Sequence, residues 1–302
     1  MIYLRNVWLY LAGLVLTVFW ASRVVLHSLR GDPCGLESFC EKAPRVWSLG
    51  ILRLAGVEVE VEGAQDFVPD RPQIVVANHA SWFDVFAVAA HFPGVYHFVA
   101  KQELSRIPIF GAAWLACGHV AIDRSDLSSA VRSLEQAARK IRKDGATIVM
   151  FPEGTRSPTG ELQPFKKGAF MLALKADVPV VPMAIQGSRD VMPKHHWLVR
   201  PGRIRIRIGE PIPVDAFSVK RRNALVREAH EAVAALLEDV PVAGPAVAGK
   251  SEPSGSSEPS GSSEPPESSE TTEAPEAPGP SGSRDPSSDR EFTNTNREPR
   301  NT

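Results

Sequence analysis

The sequence predicts an α/β domain, a mostly parallel sheet flanked by helices, preceded by an N-terminal hydrophobic membrane-anchoring helix. Three observations carry that expectation. Between residues 55 and 241, short apolar runs bounded by turn residues alternate with segments of helical spacing. Strands interleaved with helices in this way favour a parallel sheet covered on both faces. A long uncharged stretch precedes that region, and residues 242–302 are dominated by Ser, Pro, Glu and Gly. The expected organisation is membrane-anchoring helices over 1–54, a folded domain over 55–241 and a disordered acidic tail over 242–302.

Between Arg5 and Arg23 lie the uncharged residues "NVWLYLAGLVLTVFWAS". A helix of that length reaches roughly 26 Å, slightly short of a ~30 Å hydrocarbon core, so it spans marginally or embeds in one leaflet. Trp8, Tyr10 and Trp20 near its ends suit the membrane interface. A cleavable signal peptide is the rival reading, but a single Arg precedes the apolar run and no small-x-small site follows it. For a spanning helix, Arg23, Arg30, Lys42 and Arg45 on the C-terminal side put the main domain on the cytoplasmic face, at an inner (cytoplasmic) membrane. The next segment, 36–56, reads as a partly amphipathic helix lying on the membrane.

Strands are then expected at 57–62, 73–78, 96–101, 119–123, 147–151, 178–185 and 203–208. Helices are expected at 82–91, 109–117, 126–143, 165–176 and 218–238. The strand "VPVVPMAI" carries two prolines, which points to an edge strand or a pocket wall. In the helix at 126–143, Arg139, Lys140, Arg142 and Lys143 read as a solvated face near the C-terminus. The tail repeats "SEPSGS" without any recurring apolar residue, so it has no core to bury.

Charge divides with the same boundary. Of 34 Lys/Arg and 35 Asp/Glu, residues 242–302 hold 5 and 11, leaving 29 and 24 before them. A mildly basic folded part suits an anionic membrane surface or phosphorylated small molecules, and the bias is too weak to argue for nucleic acid. The three cysteines, Cys34, Cys40 and Cys117, form no CxxC pair, which fits reduced thiols and excludes a disulfide scaffold.

Three blocks at strand ends carry the chemistry, and a fourth block is itself a strand. In "NHASWFD" (78–84), His79 and Asp84 can meet only if His79 lies before the helix and Asp84 in its first turn, because five residues on one helix separate two side chains by roughly 140°. Asp84 would then fix the imidazole tautomer and leave the other nitrogen to take a proton from a hydroxyl. The competing reading is a capping box in which Asp84 reaches back to cap the helix, and the two are compatible if Ser81 does the capping. In "FPEGTRS" (151–157), Pro152 and Gly154 make a tight turn. That turn sets Glu153, Thr155 and Arg156 on a rim, where the Arg156 fork suits a phosphate; alone, it is also an ordinary solvated turn with an ion pair. "KQELSRIPIFG" (101–111) adds Lys101 and Arg106 at the same sheet edge. "VPVVPMAI" reads as structural.

Together these blocks resemble the glycerolipid acyltransferases of the 1-acyl-sn-glycerol-3-phosphate acyltransferase type. "NHASWFD" is similar to that family's NHxSxxD block, "KQELSRIPIFGAAWLACGHVAIDR" to its second block, "FPEGTRS" with the downstream "FKKGAF" to its third, and "VPVVPMAI" to its fourth. The resemblance covers residues 55–215. It implies that His79 is the general base and Asp84 its orienting partner. The acceptor, lysophosphatidate, would attack the thioester of acyl-CoA or acyl-carrier protein. Glu153, Gly154, Thr155 and Arg156 would hold the glycerol-phosphate part, with Lys101, Arg106 or Arg124 assisting. The implied chemistry needs no enzyme nucleophile, metal or cofactor, and no GxSxG elbow is present for a serine route. Three alternatives stand beside it. One is a relative acting on glycerol-3-phosphate or another lysolipid. Another is an inactive membrane protein that binds anionic lipid. The third is a metal enzyme using His79, Asp84 and Glu153, which lacks a second histidine at ligand spacing.

Overall fold

The structure, a computed structural model, describes residues 1–31, 39–64, 67–69, 71–123, 135, 137–139, 141, 143 and 145–238. The tail, Cys34, Arg124 and most of the helix expected at 126–143 lie outside the described residues; the described part of that helix is helical.

Two helices come first, α1 (Ile2–Leu29) and α2 (Phe39–Ala55). Then follow β1 (Val57–Glu62), β2 (Gln73–Ala77), α3 (Phe83–His91), β3 (Tyr96–Lys101), a 3₁₀ turn at Gln102–Arg106, α4 (Phe110–Ala116), β4 (Val120–Ile122) and β5 (Thr147–Met150). The chain continues through α5 (Gly168–Ala176), β6 (Val180–Gln186), α6 (Ser188–Val191), β7 (Gly202–Ile208) and α7 (Arg222–Glu238). The strands form one seven-stranded sheet in the order β1-β7-β6-β2-β5-β3-β4. Every neighbouring pair is parallel except β6 with β7. The expected α/β class, with its mostly parallel sheet, is what the chain adopts.

Residue pattern explains the order. All five residues of β2 are buried, as expected of a central strand covered on both faces. Its alternating side chains divide between two cores. Val75 and Ala77 join α3, Leu52 of α2 and Leu9 of α1. Ile74 and Val76 join α5, α7 and Ile141. The outer pair is written in charge: Glu58, Glu60 and Glu62 of β1 stand opposite Arg203, Arg205 and Arg207 of β7. Five contacts of 3.0–3.6 Å link the six side chains. Such partly exposed pairs add little stability each, but a one-residue slip would turn them all to the other face.

The proline-bearing strand departs from its sequence expectation: β6 is not an edge strand but lies between β7 and β2. Pro179 sits just before it and needs only its carbonyl, which accepts the Ile74 N–H at 3.0 Å. Pro182 falls where the β7 ladder breaks. The paired register begins at Met183 with Ile208, and beyond it Gly209 donates to the Pro182 carbonyl before Ile212 resumes pairing with Val180. The missing N–H therefore costs no ladder bond.

Helix α1 is long and apolar enough to cross a membrane by length and composition, yet it lies against the domain. Arg5 donates to the carbonyls of Val199 and Ala55, the buried Asn6 side chain brackets the Val199 peptide at 2.7 and 3.1 Å, and Tyr10 donates to Trp197. Farther along, Ala21 and Val24 pack with Ala43 of α2 and Ala113 of α4. The opposite stripe, including Leu4, Val7, Leu11, Leu14, Val15 and Val18, is exposed. Its spacing is that of one helix face.

Candidate active site

Strands β2, β5 and β3 are parallel neighbours, so their carboxyl ends reach one sheet edge, where ligands of open α/β sheets gather. Asn78 closes β2 by clamping β6. Its amide donates to the Ile185 carbonyl at 2.8 Å and its oxygen accepts the Ile185 N–H at 2.7 Å. The next residue, His79, leaves the sheet already oriented.

His79 Nδ1 lies 2.8 Å from Asp84 Oδ2. A carboxylate oxygen accepts, so Nδ1 carries the proton and Nε2 keeps its lone pair. The same Oδ2 also accepts the N–H groups of Ala80 (2.7 Å) and Ser81 (2.8 Å), and the Ser81 hydroxyl accepts the Phe83 N–H at 3.1 Å. Capping and pairing are thus both present. The difference from the sequence reading is that Asp84 performs both through one oxygen. Asp84 is fully buried, and its Oδ1 has no hydrogen-bond partner among the described residues. The imidazole stacks on Phe151 at 4.2 Å between centroids and 19° between planes, which fixes the ring on its other side.

The turn after β5 is tied to the same histidine. Glu153 Oε1 accepts the His79 N–H at 2.8 Å, and the Ser157 N–H donates to the His79 carbonyl at 2.7 Å. Burial pushes the Glu153 carboxyl up to about 7; the His79 amide opposes this, the Asp84 charge adds to it and the Gln163 amide opposes it again. Gly154 has φ +75, and a Cβ there would sit 2.7 Å from Lys166 Nζ, so only glycine turns the chain here without strain. Thr155 is exposed and accepts from Lys194 Nζ at 3.2 Å. The Arg156 guanidinium lies 5.1 Å from the centre of the Trp82 ring, a cation–π distance. Partial burial draws its pKa down from the usual guanidinium value, and the Asp84 charge opposes that.

A cleft of about 470 Å³ brings His79, Trp82, Lys101, Gly154, Thr155 and Arg156 together and continues into apolar side chains that include Phe86, Phe98 and Trp114. Lys101, at the end of β3, pairs with Glu103 at 2.5 Å. Arg106 is exposed on the 3₁₀ turn and is not among the residues lining the cleft, and Glu153 faces His79 rather than the cleft. Arg124 lies outside the described residues. Sequence reasoning missed Trp82, Phe151 and Lys194. The first two were legible only as aromatic residues adjoining the motif positions. Lys194 lies 39 residues from its partner Thr155 with no motif between them to signal it.

Arg156 lines the cleft with His79, whose Nε2 keeps the lone pair needed to withdraw a proton from a group beside it, and Lys194 reaches only the cleft residue Thr155. The Acyltransferase family model matches residues 58–186. A 1-acyl-sn-glycerol-3-phosphate acyltransferase of Cocos nucifera is 34% identical over 180 residues, 60% of this chain and 58% of that one. The alpha enzyme of Ovis aries is 33% identical over 204 residues, 67% and 71% of the two chains. The match thus spans less than two thirds of the coconut protein's length. Among solved structures, the 1-acyl-sn-glycerophosphate acyltransferase PlsC of Thermotoga maritima is 30% identical with a TM-score of 0.67, covering 80% of this chain and 98% of that one. With three sequence blocks meeting at one sheet edge, the fourth forming strand β6, and relatives aligned over most of the domain, the chain belongs to the 1-acyl-sn-glycerol-3-phosphate acyltransferase family.

Proposed function

We propose that this protein transfers an acyl group from acyl-CoA or acyl-carrier protein to the sn-2 hydroxyl of 1-acyl-glycerol-3-phosphate, giving phosphatidic acid. The observation that carries the reading is the His79–Asp84 pair at 2.8 Å, set in a cleft that also holds Arg156. Nε2 takes the hydroxyl proton as the oxygen attacks the thioester carbonyl. The C–O bond forms, the C–S bond breaks, and the proton passes to the departing thiolate. Asp84 holds the tautomer and balances the imidazolium that forms between the two transfers. Arg156 binds the acceptor phosphate as a planar fork, assisted by Lys101 and Lys194 at the rim. Glu153 acts one step back, by fixing the His79 backbone. Arg106 and Arg124 remain assisting cations in this reading, outside the cleft's lining and outside the described residues respectively. The apolar end of the cleft, towards Phe98 and Trp114, suits the fatty chain being transferred.

The same reading places the enzyme at the inner (cytoplasmic) membrane with the catalytic domain facing the cytoplasm. Helix α1 is held along its length by Arg5, Asn6, Tyr10, Ala21 and Val24, so in-plane embedding of its exposed stripe in one leaflet is favoured over a projecting span.

The test is a panel of acceptors offered to the purified protein with both donors: lysophosphatidate, glycerol-3-phosphate, other lysophospholipids and a lyso-aminolipid. Lysophosphatidate is expected to be acylated fastest. Equal use of acceptors without phosphate would overturn the role given to Arg156, and transfer to none would favour a lipid-binding protein without activity.

A further inference from the structure

Beside the catalytic cleft lies a second cavity of about 530 Å³, between α1 and the loop that follows α6. The two cavities share Thr17, Trp47, Trp82, Phe86 and Arg156, but His79 lines only the first. The Trp82–Arg156 pair is therefore common wall to both, with the base on one side alone. The second cavity is walled chiefly by Leu9, Gly13, Ile51, Phe83, Met192 and Val199, with Tyr10, His195 and His196 also lining it. Two more of its lining residues, Leu14 and Trp197, are 61% and 51% exposed, so its mouth opens beside the apolar stripe of α1.

We infer that this second cavity receives the resident acyl chain of the acceptor, the chain already esterified when lysophosphatidate arrives. The inference rests on the proposed function and adds a site for the part of the substrate that does not react. Three features choose this occupant. The reacting hydroxyl must reach His79 while the phosphate reaches Arg156, so the glycerol lies along the Trp82–Arg156 wall that both cavities share, and its sn-1 carbon, which bears the resident chain, branches there from the carbon that carries the hydroxyl. An apolar cavity begins at that point, continuous with the cleft through shared side chains. Its mouth also faces the surface by which a lipid would enter. Burying the resident chain there supplies binding energy away from the reacting centre, which can be used to hold the hydroxyl in line.

The test fills the cavity and reads the acceptor's chain length. Gly13 lies on α1, and a Cβ built there would meet Ile51 Cδ1 at 3.4 Å, an ordinary contact. Gly13→Leu therefore places extra carbon in the cavity at a position where leucine is the better helix former. Values of kcat/KM are measured for octanoyl and oleoyl lysophosphatidate in mixed micelles of fixed composition, and separately for short and long acyl-CoA donors with one acceptor. The oleoyl-to-octanoyl acceptor ratio is expected to fall at least about tenfold in Gly13→Leu, while the donor ratio holds. Because each ratio is internal to one preparation, a partly unfolded sample does not imitate the result. An unchanged acceptor ratio would overturn the inference, and a shifted donor ratio would assign the cavity to the incoming chain instead. A parent protein that acylates no lysophosphatidate would remove the proposed function, and this inference with it.

Discussion

The loop after β2 and the turn after β5 leave neighbouring parallel strands at the same edge, and each delivers one charged group inward and one group to the cleft. In the first, the inward group is Asp84, whose single oxygen collects an imidazole and two backbone amides, so the ring it holds has little freedom. In the second, the inward group is Glu153, which holds backbone only, and the outward Arg156 rests on Trp82 without a fixed anionic partner among the described residues. Proton transfer needs one tautomer in one place, whereas phosphate binding needs a cation that can close on its ligand. The two corners are built to those separate needs and then bound together through the His79 peptide.

Substitutions can break this comparison, and the largest effect is expected on the histidine corner. His79→Ala should lower acyl transfer by ~10² to 10⁴ with little change in acceptor affinity, measured as separate kcat and KM values. Asp84→Asn should come next. Its amide oxygen can keep the three bonds now made by Oδ2, but its NH₂ would then replace the buried, partnerless Oδ1. That leaves a donor unsatisfied, at a cost of about 1–3 kcal/mol, and removes the charge that balances the imidazolium. Both the turnover number and the melting temperature should fall.

Arg156→Ala should cost about 1.5–3 kcal/mol, roughly ten- to a hundredfold in kcat/KM for phosphate-bearing acceptors, and much less for acceptors without phosphate. Glu153→Gln keeps an acceptor for the His79 amide and should cost only several-fold in activity, roughly the worth of one net hydrogen bond. Its clearer readout is stability against pH. The folded carboxyl titrates at about 7, above its ordinary value of 4.5. The folded state therefore binds the proton more tightly than the unfolded chain does. That stabilisation is complete below pH 4.5 and is lost as pH rises through about 7. Thermal unfolding across that window should show the parent losing stability relative to Glu153→Gln. The smallest effect is expected for Trp82→Ala, about 0.5–1 kcal/mol, a two- to fivefold rise in KM for phosphate-bearing acceptors that Trp82→Phe should partly reverse.

How much of this the sequence discloses depends on the range of the interaction. The strands at 57–62 and 96–101 have the bounds their patterns predict, because alternation and flanking turn residues are local signals. His79 and Asp84, five residues apart, were legible for the same reason once the strand end was placed. Arg5 and Asn6 were not. Read locally they flank an apolar helix, yet they bind the Val199 peptide more than 190 residues away. Pro182 misled because its tolerance depends on where β7 stops pairing. Glu153 was expected to meet substrate because a turn residue looks exposed, whereas a backbone amide from a neighbouring strand end draws it inward.

The central claim, that His79 acts as base on an acceptor hydroxyl, is tested most directly by single-turnover transfer from radiolabelled acyl-CoA to lysophosphatidate in the parent and in His79→Ala, each confirmed folded by its unfolding transition. The parent should form phosphatidic acid, and the variant should be slower by at least about a hundredfold at saturating acceptor. A variant that transfers at the parental rate would contradict the claim.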